Sequence, residues 1–365
     1  QENPDRQQLI NALKVSGRNK KGLGIGVFNG LTNNTYATVN NENGQSEQIL
    51  TDPLTNYNAF VLDQNLKNNS YVSLINTNVS RQGNFYNANV LGTQFKFMDK
   101  NNMYGVEGSG SWSNLYGDSQ IEYETQDGFT SNIEVGKFSG NFNAWIENKI
   151  ISDTYDRNDM GFNTLTNIVN TEFGMNYNIY DPFGNYNRAG VYLGMDYTNL
   201  YKNGAFADFG IYHDLFLITK EFNAYGYSVY IAPVKNHDYW EARSPGRYYL
   251  QPENYSFNAW YSSDYRKVFA FDISVNYRTF NSNRDRINFS VSPRVRASDK
   301  ISFILEVNSY NYNNDVGWVD ETVSDIILGE RDRNTLESIL NFKYTFTNKM
   351  GLNFRLRHYW SKVLY

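Results

Sequence analysis

The stretch Phe269-Ala270-Phe271-Asp272-Ile273-Ser274-Val275-Asn276-Tyr277-Arg278 alternates large apolar residues with small or polar ones at every step. A period of two is the signature of a β-strand with two unlike faces, because successive side chains point to opposite sides of the pleat. The same dyad recurs outward in both directions. It appears in Ile287, Phe289, Val291 and Val295 against Asn288, Ser290, Ser292, Arg294 and Arg296. It appears again in Met350, Leu352, Phe354 and Leu356 against Gly351, Asn353, Arg355 and Arg357. Upstream, Phe173, Met175, Tyr177 and Ile179 follow it, as do Ala189, Val191, Leu193, Met195 and Tyr197. Helical periodicity is almost absent, so the chain reads as all-β.

Alternation alone fits a soluble sandwich, and the connections separate the options. Short turns fall near 18–21, 67–69, 99–102, 139–141, 181–184, 219–221, 264–265, 298–299 and 347–348. Between them lie mostly longer connections near 33–55, 80–86, 115–128, 152–166, 199–204, 235–251, 280–285 and 314–331. Short turns taking turns with long loops, over about 18 strands, is the habit of a transmembrane antiparallel up-and-down β-barrel. Strands of about 10 to 14 residues also suit a tilted membrane span with a rim. The expectation is therefore one outer-membrane barrel domain over residues 1–365, in a Gram-negative cell outer membrane, surrounded by lipid and lipopolysaccharide.

Composition agrees. Aromatic residues make up 16%, with 30 Tyr and 24 Phe, and there is no Cys. Mean hydropathy is −0.61. No run of about 18 apolar residues is present, which excludes a helical membrane span but not a barrel, where only alternate residues need be apolar. The net charge of −5 and dispersed basic residues exclude a nucleic-acid partner of the usual kind.

In a barrel the apolar set meets lipid and the polar set lines the interior. That interior set is rich in charge: Glu107, Glu134, Glu147, Glu172, Asp196, Asp208, Asp214, Asp272, Arg278, Arg294, Arg296, Glu306, Arg355 and Arg357. A basic residue at the lipid midplane costs about 2–4 kcal/mol, so these side chains are expected to face inward. Acids dominate before residue 275 and arginines after it, which suggests a lumen laced with ion pairs. Counting turns places both the strand near Leu9 and the end near Tyr365 at the extracellular rim. The expectation is therefore that a complete barrel has about 20 strands, one more at each end.

Two segments carry a family resemblance. Ala12-Leu13-Lys14-Val15-Ser16-Gly17-Arg18-Asn19-Lys20-Lys21-Gly22-Leu23-Gly24-Ile25-Gly26 and Asn348-Lys349-Met350-Gly351-Leu352 with Arg355-Leu356-Arg357-His358-Tyr359-Trp360-Ser361 resemble a Bacteroidota outer-membrane barrel family of unassigned function. The resemblance implies an N-terminal periplasmic module similar to family-nine carbohydrate-binding domains, preceding the barrel. It carries no catalytic residues, because its motifs mark strands and turns.

Site chemistry is sparse. Asn311, Asn313, Asp315, Gly317 and Asp320 look superficially like a calcium loop, but the glycine falls one place late for an EF-hand. Asp153, Asp156, Asn158 and Asp159 form an acidic cluster in a loop, and His213, His237 and His358 are too scattered for a zinc motif. No nucleophile elbow or phosphate-cradling glycine loop is present. No cofactor, metal or enzymatic activity is expected. The aromatic segment from Tyr239 to Tyr261, with Tyr239, Trp240, Tyr248 and Tyr249, is a candidate surface for sugar rings, or alternatively an interfacial girdle. The functional expectation is a pore, receptor or surface scaffold acting with other outer-membrane proteins, linked to envelope glycan. The rivals are a non-conducting structural or secretion-associated barrel and, more remotely, an outer-membrane hydrolase.

Overall fold

The computed structural model describes residues 6–40, 45–117 and 123–365. Residues 1–5, and parts of the connections expected over 33–55 and 115–128, lie outside the described residues. The protein is all-β, with 22 strands and no helix among the described residues. All the strand pairings within each compact unit are antiparallel.

The chain divides into two compact units. The first holds β1 (Leu9–Arg18), β2 (Leu23–Thr32), β3 (Thr35–Asn40), β4 (Ser46–Asp52), β5 (Thr55–Asn65), β6 (Tyr71–Arg81), β7 (Asn87–Met98), β8 (Tyr104–Tyr116) and β9 (Gln126–Lys137). Strands β10 (Phe142–Ile151) and β11 (Ile168–Ile179) contribute residues to both units. The second holds β12 (Tyr186–Asn199) except its last residue, β13 (Phe206–Thr219), β14 (Ala224–Ala232), β15 (Asn236–Asp238), β16 (Tyr249–Gln251), β17 (Asn254–Ser262), β18 (Phe269–Phe280), β19 (Arg284–Arg296), β20 (Ile301–Glu321), β21 (Ile326–Thr347) and β22 (Met350–Leu364). Eighteen strands belong to one large sheet, while β3 with β4 and β15 with β16 form small separate ribbons. Among the described residues the large sheet is not closed into a barrel. Strand β1 pairs with β2, β22 pairs with β21, and every residue of β1 and β22 is exposed.

Hairpins are set by short Asx-rich turns, where a side-chain oxygen mimics a backbone acceptor. Asn19 Oδ1 accepts the amides of Lys21 at 2.9 Å and Leu23 at 3.1 Å. Gly22 follows at φ +85°, a conformation that a side chain would strain. Asp99 Oδ1 accepts the amides of Met103 at 2.5 Å and Tyr104 at 3.0 Å, and those bonds hold its carboxyl below the usual range. Asp264 accepts the Arg266 side chain through both oxygens at 2.9 Å and the Arg266 amide at 3.0 Å. These bonds, the guanidinium first, lower its pKa to about 2.

Three connections differ from the sequence reading. The segment 314–331 is mostly strand: β20 and β21 run on as a long ribbon past a register shift at Tyr312/Asp315, turning only between Glu321 and Ile326. The polar residues there alternate sides of an extended ribbon, which sequence polarity alone reads as loop. The connection over 280–285 is a tight turn of Asn281–Asn283, with Asn283 at φ 55°. Tyr255, Trp260 and Tyr261 lie in β17 and not in a loop.

Directly opposed residues of an antiparallel pair share a face. In the second unit, Asp272, Asn276 and Arg278 oppose Ser292, Asn288 and Arg286, while Ile273, Val275 and Tyr277 oppose Val291, Phe289 and Ile287. The first of these sets is half-buried, and Asp272, Asn276, Arg278 and Arg286 are hydrogen-bonded through their side chains. The other is exposed apart from the half-buried Val291, with Ile273 and Val275 at 37% and Tyr277 at 44%. In the first unit, Trp112, Ile133, Val135 and Leu91 form the exposed apolar set, and Glu107, Ser111 and Ser113 lie on the other face.

Candidate functional site

The polar face of the second unit carries the densest chemistry. Two Arg-x-Arg dyads, Arg284/Arg286 in β19 and Arg331/Arg333 in β21, each place both arginines on this face by the period of two. The ladder sets Arg286 opposite Tyr312, Tyr312 opposite Arg333, and Asp315 opposite Arg331. Asp315 is therefore surrounded. Its Oδ1 accepts Arg284 Nη2 at 2.9 Å and Arg286 Nη2 at 2.6 Å, and its Oδ2 lies 3.6 Å from Arg331 Nη2. Asp315 and Arg284 side chains are each only 4% exposed. The guanidiniums also lie over rings: Arg284 is 4.3 Å from the Phe280 centroid, Arg286 4.9 Å and Arg333 4.5 Å from Tyr312.

Asp315 belonged to the calcium-like pattern in the sequence. Three guanidiniums around its carboxylate repel a cation, and no metal-holding group of side chains occurs among the described residues. The other acidic cluster is also engaged, with Asp153 paired to Lys202 at 3.1 Å and Asp159 paired to Arg81.

The expected interior charges fall as follows. Asp272 pairs with Arg294 at 2.9 Å and accepts Ser262 Oγ at 2.6 Å and the Tyr265 hydroxyl. Arg357 pairs with Glu337 of the adjacent strand. Arg278 donates to Asn254 Oδ1 at 2.9 and 2.6 Å and not to a carboxylate, and Arg296 donates to the Tyr265 carbonyl at 3.3 Å. Arg355 opposes Asn341 and lines a cavity of about 410 Å³ with Lys343 and Asn353. Asp208 accepts the Asn236 amide, Asp196 interacts with Asp208 and Tyr212, and Glu172 accepts the Tyr192 hydroxyl at 3.2 Å. In the first unit Glu107 pairs with Lys96 at 2.5 Å and opposes Glu134, and Glu147 sits half-buried in β10. The pairs that form join neighbouring strands.

The aromatic segment folds on itself in part. His237 stacks on Tyr248 at 4.1 Å and 6°, and Tyr239 lies 5.2 Å from Tyr248. Burial, then the neighbouring Tyr248, raises the Tyr239 phenol. Tyr248 and Tyr249, with Arg247, Leu250, Asp325 and Ile326, line a cavity of about 510 Å³ against the far end of the β20–β21 ribbon. Trp240 stands apart, 43% exposed.

On the polar face of the first unit, the connection after β10 lies over β6–β9. Tyr155 reaches Ser111 Oγ at 2.6 Å, the Asp156 amide donates to Ser113 Oγ at 3.0 Å, and Asp159 meets Arg81 and the Tyr86 hydroxyl. A groove of about 440 Å³ remains between Arg157–Phe162 and the strands.

The whole chain, residues 1–365, matches the family described as a domain of unknown function, DUF5916. The chain belongs to the DUF5916 family. No curated protein matches it. For this DUF5916 domain, sequence reasoning missed Arg284, Arg286, Arg331 and Glu337. Arg284 and Arg331 lay in segments read as loops, and Arg286 next to one, although the two Arg-x-Arg dyads were a legible signal for a shared face.

Proposed function

We propose that this DUF5916 domain is the wall of an integral outer-membrane β-barrel, with its apolar face in lipid and its polar face a binding surface, as in a receptor or surface scaffold. The observation that supports it is the inversion of the usual burial pattern. Ile133 and Val135 are 48% and 50% exposed, Leu91 49%, Trp112 52% and Phe257 48%, while the opposite face holds ion pairs such as Lys96–Glu107 and Asp272–Arg294. Full burial of one such side chain is worth about 1.5–3 kcal/mol, so a contiguous band of them calls for an apolar medium. The family resemblance adds the Bacteroidota outer membrane, lipopolysaccharide and other outer-membrane proteins as the setting. It also adds glycan as a ligand class for the Tyr248–Tyr249 cavity.

Single cysteines decide the matter, and the chain's lack of native Cys makes the experiment clean. Nitroxide labels along β18 of the protein reconstituted in lipid should be oxygen-accessible at 273, 275 and 277 and shielded at 272, 274 and 276. Labels at 273, 275 and 277 that meet a water-soluble relaxant instead would refute the lipid-facing assignment.

The rival reading, a filled barrel that conducts nothing, has its own support. The connection after β10 lies along the polar face of β6–β9, where an open channel would need free space.

A further inference from the structure

We propose that Arg284, Arg286 and Arg331 form a binding site for a phosphate group on the polar face of β19–β21. The inference does not depend on whether lipid covers the other face. Three guanidiniums converge on one carboxylate, Asp315, leaving the cluster with two positive charges in excess. Arg333 adds a further positive charge on the same face, above Tyr312. Glu241, in the connection between β15 and β16, accepts the Trp318 amide at 2.7 Å, and its charge offsets that of Arg333, so the excess stays at two.

A structural hub would need only one arginine to neutralise Asp315, and each further cation brings a desolvation cost with no carboxylate of its own in the cluster to offset it, Arg331 having the Tyr365 hydroxyl besides Asp315. The orphaned donors agree. The Nε and Nη1 of Arg284, the Nε of Arg286 and the Nε of Arg331 are buried and donate to no acceptor among the described residues. Phe280 and Tyr312 hold the guanidinium planes from one side, so the forks are fixed before a ligand arrives. The cluster is reachable as well: Arg284 is a closed floor, whereas the Arg286 and Arg331 side chains are each 26% exposed.

The ligand class follows from charge and shape. Two excess positive charges match a dianion. Guanidinium forks arriving from β19 and β21 suit the several acceptor oxygens of a tetrahedral phosphate, which accepts paired N–H bonds readily. A monocarboxylate would leave one charge unanswered. Two sources share this chemistry: a soluble phosphate or phosphate ester, and the phosphates of lipopolysaccharide.

The test uses the full chain, purified in detergent free of lipopolysaccharide, with equilibrium dialysis of radiolabelled inorganic phosphate at constant ionic strength. Saturable binding is expected, unaffected by chloride, and weakened about 10-fold or more in R331Q and in R286Q, as loss of a charge-assisted bond implies. R18Q, at an exposed pair in the first unit, should bind as the wild type does. Circular dichroism confirms that each variant is folded, and R331Q, at the more exposed position, keeps the test open if R286Q does not fold. A second arm adds lipopolysaccharide as competitor: displacement assigns the lipid headgroup, and its absence assigns a soluble phosphate. No saturable binding in either arm, or binding indifferent to R331Q and R286Q, overturns the proposal.

Discussion

Tyr155 crosses directly over Gly128, and an ideal Cβ placed on the glycine would overlap the Tyr155 backbone nitrogen and Cα. The approach is fixed from both sides. Ser152 donates its amide to the Phe129 carbonyl at 2.9 Å, its Oγ accepts the Phe129 amide at 2.9 Å, and Ser113 Oγ accepts the Asp156 amide at 3.0 Å. Backbone cannot step aside as a flexible side chain does. Gly128→Ala should therefore destabilise the protein by about 1–3 kcal/mol, in the range of an overpacked site. Gly110→Ala, whose Cβ would meet only the Thr130 carbonyl at 3.5 Å, should be near neutral. Denaturant unfolding in detergent separates the two, and equal midpoints would show that the connection yields.

Asp264 gives a pH dependence with a definite sign. Its carboxyl titrates at about 2 in the folded chain against an ordinary 3.8, chiefly through the paired Arg266 side chain. A lowered folded pKa stabilises above the unfolded value, and that contribution disappears as pH falls from about 4 through 2. Asp264→Asn keeps an oxygen for the Arg266 amide but loses the ion pair. The variant should unfold more easily than the parent at pH 7, with most of the difference gone by pH 2. A difference that persists at pH 2 would place the effect in the turn geometry.

The strands were legible because Ile273, Val275 and Tyr277 repeat at a period that no helix shares, and the turns because Asn19, Asp99 and Gly22 carry their own chemistry. The ribbon over 314–331 was not. Its polar residues, Asp315, Asp320, Glu321 and Glu330, are those of a loop by composition, and only pairing with a partner strand makes them a ladder. Missing that ribbon hid Asp315 as the hub of three arginines. The sorting of acids before arginines along the chain suggested pairing over long distances. Pairing is local instead, since neighbouring strands bring Asp272 to Arg294 and Glu337 to Arg357 without any constraint on sequence separation.

Asp315 should matter far more to stability than an exposed acid of the same type. Removing one partner from a buried charge cluster typically costs about 3–5 kcal/mol, because the remaining charges stay buried and unanswered. Asp315→Ala strands three arginines at once. Asp63→Ala, whose partner Arg18 is 46% exposed, should cost about 1 kcal/mol or less from the lost pair. Paired chemical-denaturation curves give the comparison, and a D315A midpoint close to that of D63A would mean that solvent already screens the cluster.

The connection after β10 bears on whether the domain conducts. Arg81 and the Tyr86 hydroxyl both engage Asp159, Tyr155 engages Ser111, and Met160, Gly161 and Phe162 lie above a polar groove on β6–β9. Each contact is modest alone, about 0.5–3 kcal/mol for a neutral or charged hydrogen bond, but together they hold the segment against the strands. Under the filled-barrel reading, the wild type in planar bilayers should show little or no current. Replacing residues 156–165 with a short Gly-Ser linker should then open discrete conductance steps, and Arg81→Ala should produce intermittent openings by releasing Asp159. The parent and the linker variant conducting alike would exclude this segment as the barrier, and a large steady current in the parent would favour the pore reading over the filled one.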